Sequence, residues 1–418
     1  MKSVFTLTAA SALCAALAMA QTPRYAVIDL GTLGGGKSSS FVNYLNDNRV
    51  AAGSASAADG AQQAVLWSGP LRIDIGTPGL NSGIFGLNTS GQASINAEVS
   101  TKDPYNENFC AFGTGLECAA FQLQHGVLTQ LPTLGGNNST IGNINNRGEI
   151  AGATENSTRD PACPTTASFA GNGPQVLDYE AVVWGPNPGD VRELRPLPGD
   201  TVGLALSIND HSQAVGASGT CANSALPPIA FGAHAVMWDA DGTAHDLGNL
   251  GGKVINVALS INNQGQVTGV SSVNDQATLA QGHHAFLWTS AAGMKDLGTL
   301  PGDVASVGTV ISDAGDVVGE SDDASGNARA ILWHNGAMND LNDLAPGSPL
   351  FLLCATAINS RGEIGGFGAT EKGDIHAYLA TPVSATATSE SLSAETRPAA
   401  LPEDVRKLVR EHLPLRRY

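Results

Sequence analysis

Short apolar stretches separated by tight polar turns recur along the chain. Residues 257–261 (VALSI) are followed by the turn 262–265 (NNQG) and by a second apolar stretch at 266–270 (QVTGV). An Asn that opens a turn and a Gly in its left-handed position are typical of a β-hairpin. Residues 285–288 (AFLW) and 294–297 (MKDL) predict a second hairpin. The pattern therefore predicts units of four short antiparallel strands, here named A to D.

This unit occurs seven times. The turns between strands A and B begin at Asn46, Asn88, Asn145, Asn209, Asn262, Ser312 and Asn359. The tryptophans of the chain all occupy the last position of a strand C, at Trp67, Trp184, Trp238, Trp288 and Trp333. Four-stranded sheets that repeat at this spacing are typical of β-propeller blades, whereas a parallel β-helix would need shorter coils.

The two ends of the repeat region complement each other. The seventh unit stops after its strand C, at residues 376–382, and lacks a strand D. Residues 25–31 (YAVIDLG) match a strand D but have no unit before them. Pairing these two segments would close the ring and remove an exposed sheet edge. The sequence thus predicts an all-β, seven-bladed β-propeller over residues 21–382, closed by its N-terminal strand.

Two motifs carry a family resemblance. They are His-Ala-Phe-Leu-Trp at 284–288 and Asp-Leu-Gly-x-Leu-Gly-Gly at 29–35 and 246–252. The chain resembles the extracellular HAF-repeat proteins of bacteria over residues 25–382. The resemblance implies secretion and no established reaction. Unit 2 departs from the pattern, with Leu123 at the Trp position and Ile95 where other units have Gly, and unit 7 also lacks the Trp.

The segments outside the repeats predict export and a small C-terminal element. Residues 1–20 combine an early Lys2, an apolar run and a small-x-small ending, which indicates a signal peptide cleaved before Gln21. No later stretch has the ~18 apolar residues of a membrane helix, so we expect a secreted or periplasmic protein without membrane insertion. Residues 383–400 predict a flexible linker and 401–418 a short helix with a basic tail. That helix could dock on the propeller or on a partner, and a disordered tail is the alternative.

Five cysteines remain in the mature chain. Cys110 and Cys118 lie in one loop between strands B and C, that of unit 2. Cys163 and Cys221 lie in the equivalent loops of the neighbouring units 3 and 4. We predict the disulfides Cys110–Cys118 and Cys163–Cys221 and a reduced Cys354, which lies in the apolar strand A of unit 7. The competing pair Cys118–Cys163 would leave Cys110 unpaired.

Composition limits the possible partners. The net charge is −17, with only 21 Lys and Arg against 38 Asp and Glu, and several of the basic residues lie in the tail. A nucleic-acid backbone or an anionic membrane would be repelled. The sequence contains no His-Glu-x-x-His, Gly-x-Ser-x-Gly, Gly-x-x-x-x-Gly-Lys or Cys-x-x-Cys motif.

Metal and cofactor signals are weak. His234, His284 and His376 open strand C in three different blades, so they cannot converge on one ion, and we expect each to hydrogen-bond a neighbouring loop. His283 stands beside them. Residues 239–246 and 322–327 resemble the start of a calcium loop but lack its closing Glu, and ordinary turns explain them equally. No cofactor is predicted, with calcium as the alternative.

One face of the propeller carries the long loops. The B-to-C loops and D-to-A connections share this loop face, and the A-to-B and C-to-D turns share the opposite turn face. The B-to-C loops are longest in units 2, 3 and 4, and long loops on rigid scaffolds concentrate binding residues. The polar residues just after the Gly-Gly or Pro-Gly of a unit are the candidate ligand-binding residues: Asn137, Asp200, Lys253 and Asp303. The alternative is that these residues bind no ligand and occur there because small polar side chains suit a tight, solvated bend.

These features predict a binding or interaction module that uses the loop face. Its expected partner is an extracellular glycan or protein. The alternative is a polysaccharide lyase or hydrolase with its site at the mouth of the same face, because propellers host both kinds of function. Ionisable groups with shifted pKa values around a pocket would favour the enzyme, and a mouth without them would favour binding.

Overall fold

The computed structural model describes residues 22–34, 39–163, 167–168, 171–187, 189–222, 234–278, 280–383 and 401–412. The predicted signal peptide and nearly all of the predicted linker lie outside these residues. Seven four-stranded antiparallel sheets account for most of the described chain. The prediction of a seven-bladed β-propeller is therefore confirmed. None of the helices in the described ranges is long and apolar enough to cross a membrane.

The strands follow one another blade by blade. The chain begins with β1 (Arg24–Asp29). Blade 1 contains β2 (Ser40–Leu45), β3 (Val50–Ser56), β4 (Gln62–Ser68) and β5 (Leu71–Asp74). Blade 2 contains β6 (Ser82–Leu87), β7 (Ala93–Lys102), β8 (Leu116–Gln124) and β9 (Val127–Gln130). Blade 3 and its inserted hairpin contain β10 (Gly135–Ile144), β11 (Ile150–Arg159), β12 (Ala167–Ser168), β13 (Gly171–Asn172), β14 (Leu177–Trp184) and β15 (Val191–Leu194).

The second half of the ring repeats the same order. Blade 4 contains β16 (Val202–Ile208), β17 (Ala214–Gly219), β18 (His234–Trp238) and β19 (Ala244–Asp246). Blade 5 contains β20 (Asn256–Ile261), β21 (Val267–Ser272), β22 (His283–Thr289) and β23 (Gly293–Asp296). Blade 6 contains β24 (Ala305–Ile311), β25 (Val317–Asp322), β26 (Ala328–His334) and β27 (Ala337–Asp340). The last elements are α1 (Leu341–Leu344), β28 (Phe351–Ile358), β29 (Ile364–Ala369), β30 (Ile375–Val383) and α2 (Glu403–His412).

The ring closes through its first strand. β1 pairs antiparallel with β30, in register from Arg24 opposite Val383 to Asp29 opposite Tyr378. The fourth sheet position of blade 7 is thus filled from the N-terminal end of the chain, as predicted. Tyr25 and Leu30 are buried by this closure, at 3% and 6% exposure.

Tryptophans wedge neighbouring blades together. Trp184 and Trp238 are fully buried, and their indole N–H groups donate to the carbonyl oxygens of Pro132 (2.8 Å) and Arg195 (2.7 Å) in the preceding blade. Each indole therefore supplies both apolar volume and a hydrogen bond, the usual state of a buried Trp. In blade 2, Leu123 takes this position and packs, partly buried, against an apolar cluster that contains residues of blades 1 and 2.

A chain of asparagine hydrogen bonds secures the turn face. The side-chain oxygen of Asn46 accepts from the backbone N–H of Val50 in its own turn, and its amide donates to the backbone oxygen of Asn88 in the next blade. The same inter-blade bond starts from Asn46, Asn88, Asn145, Asn209, Asn262 and Asn359. Ser312 has no amide to continue the series. The turn residue that reveals the repeat in the sequence thus also joins the blades.

The C-terminal helix docks on the loop face. Val405 and Val409 of α2 are buried against Phe351, Leu353 and Ile375 of blade 7. The docked position agrees with one of the alternatives left open by the sequence. Residues 413–418 lie outside the described part of the chain.

Removing residues 384–418 is expected to leave the propeller folded, because β1 and β30 close the ring without the tail. Removing the buried side chains of Val405 and Val409 lowers the free energy of unfolding by at most about 3 kcal/mol each. Part of this loss is offset because the helix residues no longer have to be ordered on folding. The melting temperature of the truncated protein should therefore be only a few degrees lower than that of the full chain. Binding of a hydrophobic dye should increase, since Phe351 and Leu353 become exposed. A truncated chain that does not fold would show that α2 belongs to the core.

Candidate binding face

Two disulfides fasten the long loops of the loop face. Cys110 lies in the loop of blade 2 and is bonded to Cys118, which the structure places in β8 rather than in the predicted loop; their Cα atoms are 5.2 Å apart. Cys163 and Cys221 join the loops of blades 3 and 4, with a Cα separation of 4.7 Å. Cys354 is buried and reduced. These are the predicted pairs, and they make the enlarged loops part of the rigid scaffold.

Peptide mapping without reduction is expected to recover the Cys110–Cys118 and Cys163–Cys221 linked peptides. Replacing Cys163 and Cys221 by Ser should lower the free energy of unfolding by roughly 2 to 5 kcal/mol, because the crosslink restricts the unfolded chain. A linked peptide that contains Cys354 would contradict the position of β28 as the innermost strand of blade 7.

A buried network of carboxylates joins the loop of blade 2 to blade 3. Glu107 and Glu155 are each 0% exposed. The Oε1 atom of Glu107 accepts from the backbone N–H groups of Val176 (2.6 Å) and Leu177 (3.2 Å). The side-chain amide of Gln175 donates to Glu107 (3.1 Å) and to Glu155 (3.3 Å). Two insertions from neighbouring blades therefore meet at one pair of acids.

Burial and mutual repulsion shift the titration of this pair. Burial and the nearby Glu107 carboxylate raise the pKa of Glu155 to about 9, although Asn138 donates to it. Burial also raises the pKa of Glu107. The folded pair therefore holds a proton at neutral pH that the same two glutamates release in the unfolded chain. No sequence motif marks this pair, because Glu107 reaches Glu155 only through the fold of its loop.

Two of the four candidate residues, Asp200 and Asp303, form buried polar contacts within the propeller instead of facing a ligand site. Asp200 accepts from the hydroxyl of Ser218 (2.5 Å) and pairs with the Nδ1 atom of His234 (2.9 Å). Asp303 forms an ion pair with Arg329 at 2.9 Å. Their side chains are only 7% and 3% exposed. Each acid therefore links a D-to-A connection to strand C of the blade that the connection enters.

The other two candidates differ in exposure. The backbone N–H of Asn137 donates to Glu155 (3.2 Å), and the residue is half-buried. The backbone N–H of Lys253 donates to Asp275 (2.9 Å), and Lys253 is exposed. Among the described residues, no hydrogen bond or ion pair links any of the four candidates to another. Lys253 is the member that presents its side chain to solvent.

The strand-C histidines bind carboxylates rather than each other. His284 lies 2.9 Å from Asp296 in its own blade. His376 lies 2.8 Å from Asp29 of the closing strand, and this hydrogen bond raises the pKa of His376. The expected contact with a neighbouring loop occurs only for His234, which pairs with Asp200; the partners of His284 and His376 lie instead in strand D of their own blades, β23 and β1. The His376–Asp29 contact also shows that the ring closure includes a polar clasp.

The two calcium-like segments use their carboxylates within their own turns. Asp241 accepts from the backbone N–H of Thr243 (2.9 Å), and Asp323 accepts from the backbone N–H groups of Ser325 (2.8 Å) and Asn327 (3.0 Å). These are ordinary turn contacts. Elsewhere on the loop face, potential metal-ligand atoms of Asp160, Cys163, Asp178 and Cys221 lie within 4.8 Å of one another.

An open cleft of about 380 Å³ lies in the loop region of blade 5. Side chains and backbone of seven residues line it: Val273, Asn274, Gln276, Gln281, Gly282, His284 and Val304. Its polar groups are mostly amides, which both donate and accept hydrogen bonds. Lys253 contacts the same loop through Asp275. The buried acids Glu107 and Glu155 do not line this cleft.

Comparisons with known proteins identify the fold alone. No protein-family model and no curated protein matches the chain. The β-propeller domain of the trilobed protease from Pyrococcus furiosus superposes with a TM-score of 0.50 at 9% identity, covering 84% of this chain and 98% of that one. A puromycin hydrolase gives a TM-score of 0.50 at 11% identity, with coverages of 84% and 54%. An acylaminoacyl peptidase from Pyrococcus horikoshii gives 0.48 at 12% identity, and this chain spans about half of its length, 52%.

Proposed function

We propose that this chain is an extracellular or periplasmic binding module that takes a glycan or protein ligand on its loop face. The observation that carries the proposal is the contrast between the two faces. The turn face is closed by short turns and inter-blade asparagine bonds. The loop face carries the insertions of blades 2 to 4, the two disulfides and the blade 5 cleft.

The chemistry of the blade 5 cleft supports binding over the alternative of a polysaccharide lyase or hydrolase, because the acids with raised pKa values, Asp178 and Glu180 included, do not line it. The most strongly shifted acid, Glu155, and its partner Glu107 are fully buried and engaged with loop N–H groups. Asp200 and Asp303 are paired with His234 and Arg329 inside the propeller. The polar side chains that line the cleft are amides and His284, which suit hydroxyl and amide groups of a ligand. Disulfides and the resemblance to HAF-repeat proteins agree with an exported protein.

An array of glycans and extracellular peptides probed with residues 21–418 tests the proposal. Two matched variants locate the ligand. Gln276 in the cleft and Gln264 on the turn face are both exposed, and the backbone N–H of each donates to an Asn two residues earlier. Gln276→Ala should weaken binding of an array hit, and Gln264→Ala should leave it unchanged. An array without hits, or loss of binding only with Gln264→Ala, would contradict the proposal.

A further inference from the structure

Four potential metal ligands meet where the loops of blades 3 and 4 are joined. One carboxylate oxygen each from Asp160 and Asp178 and the sulfurs of Cys163 and Cys221 all lie within 4.8 Å of one another. In this structure the two sulfurs are bonded as a disulfide. The acids are half-buried, Cys163 is 8% exposed and Cys221 is 0% exposed. The group is thus enclosed by protein on the cysteine side and open to solvent on the acid side.

The local structure holds these groups in place without using all of their ligand atoms. Asp160 accepts from the backbone N–H of Ala162 (2.7 Å) and opens the turn that ends at Cys163. The Sγ atom of Cys163 lies 4.0 Å from the Oδ1 atom of Asp178. The backbone N–H of Cys221 donates to Thr201 (3.2 Å). Positions are therefore fixed by backbone contacts, and the carboxylates face the sulfurs.

The charges and the spacing of these groups favour a cation at this point. Asp160 and Asp178 place two carboxylates next to the sulfurs, and a divalent cation between the acids would offset their mutual repulsion. Tetrahedral zinc with bonds of about 2.0 to 2.3 Å places its ligand atoms roughly 3.3 to 3.8 Å apart. The 4.0 Å between the Sγ atom of Cys163 and the Oδ1 atom of Asp178 is close to this spacing, whereas the two sulfurs are bonded to each other and must separate when the disulfide is reduced.

We propose that Asp160, Cys163, Asp178 and Cys221 form a redox-dependent site for zinc or a similar thiophilic divalent cation. The disulfide form leaves the sulfurs unavailable. A dithiol reductant supplies two electrons and two protons, the S–S bond breaks, two thiols form, and the reductant closes its own disulfide. Zn²⁺ then displaces the two thiol protons and binds two thiolates and two carboxylates. The crosslink between blades 3 and 4 is thereby exchanged for a metal bridge.

Differential alkylation of the reduced full-length protein tests this site. The protein is reduced with a phosphine, transferred to oxygen-free buffer with or without Zn²⁺, and treated with iodoacetamide. Zinc should slow alkylation of Cys163 and Cys221 at least tenfold and leave Cys110 and Cys118 unchanged as an internal control. Asp178→Asn should abolish the protection, and the exposed control Glu193→Gln should retain it. Equal protection of all four cysteines, no protection, or full protection in Asp178→Asn would overturn the proposal.

Cobalt binding gives a second measurement that needs no variant. Titration of the reduced protein with Co²⁺ should produce thiolate charge-transfer absorption and the ligand-field bands of a tetrahedral ion, saturating at one ion per chain. The disulfide form should give neither signal. A reduced protein that gives no thiolate–cobalt absorption would overturn the proposal, and so would identical spectra for the two redox forms.

Discussion

Deletion of residues 21–31 is expected to abolish stable folding of the propeller. The deletion removes β1, which supplies the fourth strand of blade 7 and pairs with β30 over six positions. It also removes the buried side chains Tyr25 and Leu30, each of which contributes about 2 to 5 kcal/mol in a packed core. The sum is comparable to the total stability of a typical domain, about 5 to 15 kcal/mol. The clasp between Asp29 and His376 is lost as well.

Thermal unfolding and size-exclusion chromatography measure this effect. We expect aggregation or a melting temperature lower by tens of degrees, since β30 becomes an unpaired edge that can recruit other chains. The truncation of residues 384–418 is the control, because it removes a longer terminal segment without opening the ring. A variant lacking residues 21–31 that melts like the parent protein would contradict the closed seven-bladed ring.

The protein is expected to be more stable at pH 5 than at pH 8. The pKa of Glu155 is about 9 in the folded state, against an ordinary 4.5 in the unfolded chain. Between these values the folded state holds a proton that the unfolded state has released, so stability decreases as pH rises. The slope reaches at most about 1.4 kcal/mol per pH unit for one such group. Asp178 and Glu180, with pKa values raised to about 6 and 7, add to it in the same direction.

Glu155→Gln should flatten this pH dependence and raise the stability at pH 8. The amide keeps an acceptor for the backbone N–H of Asn138 and gains a donor toward Glu107, but it cannot ionise. Chemical unfolding at several pH values gives the free energies. Glu371→Gln, at an exposed turn of blade 7, is the control and should keep the parent profile. A parent protein whose stability rises from pH 5 to pH 8 would contradict the proposed state of the Glu107–Glu155 pair.

The repeat pattern was sufficient to predict the fold because each blade packs against its neighbours through equivalent residues. The Asn that opens six of the seven A-to-B turns and the Trp that ends strand C in five blades recur because both make contacts between blades. The closing strand was predictable for the same reason, since residues 25–31 carry a strand-D sequence without a unit. The disulfides were predictable because the four cysteines lie at one face, three of them in loops and Cys118 near the start of β8.

The candidate site was less predictable, because its contacts depend on loops that differ from unit to unit. Asp200 and Asp303 were selected as polar residues near the axis, but each bonds a basic residue at the start of strand C in the blade that follows it, His234 and Arg329. The signal was present in the sequence, as an acid in the D-to-A connection together with a basic residue at the start of strand C. The Glu107–Glu155 pair carried no such signal.

The central claim is that the ligand binds on the loop face. Hydrogen–deuterium exchange of the protein with and without its array ligand measures this directly. We expect protection of backbone amides in the long loops of blades 2 to 4 or around residues 273–284, with unchanged exchange at the turns that begin at Asn46, Asn145 and Asn262. Protection confined to those turns or to the outer strands of the blades would contradict the account.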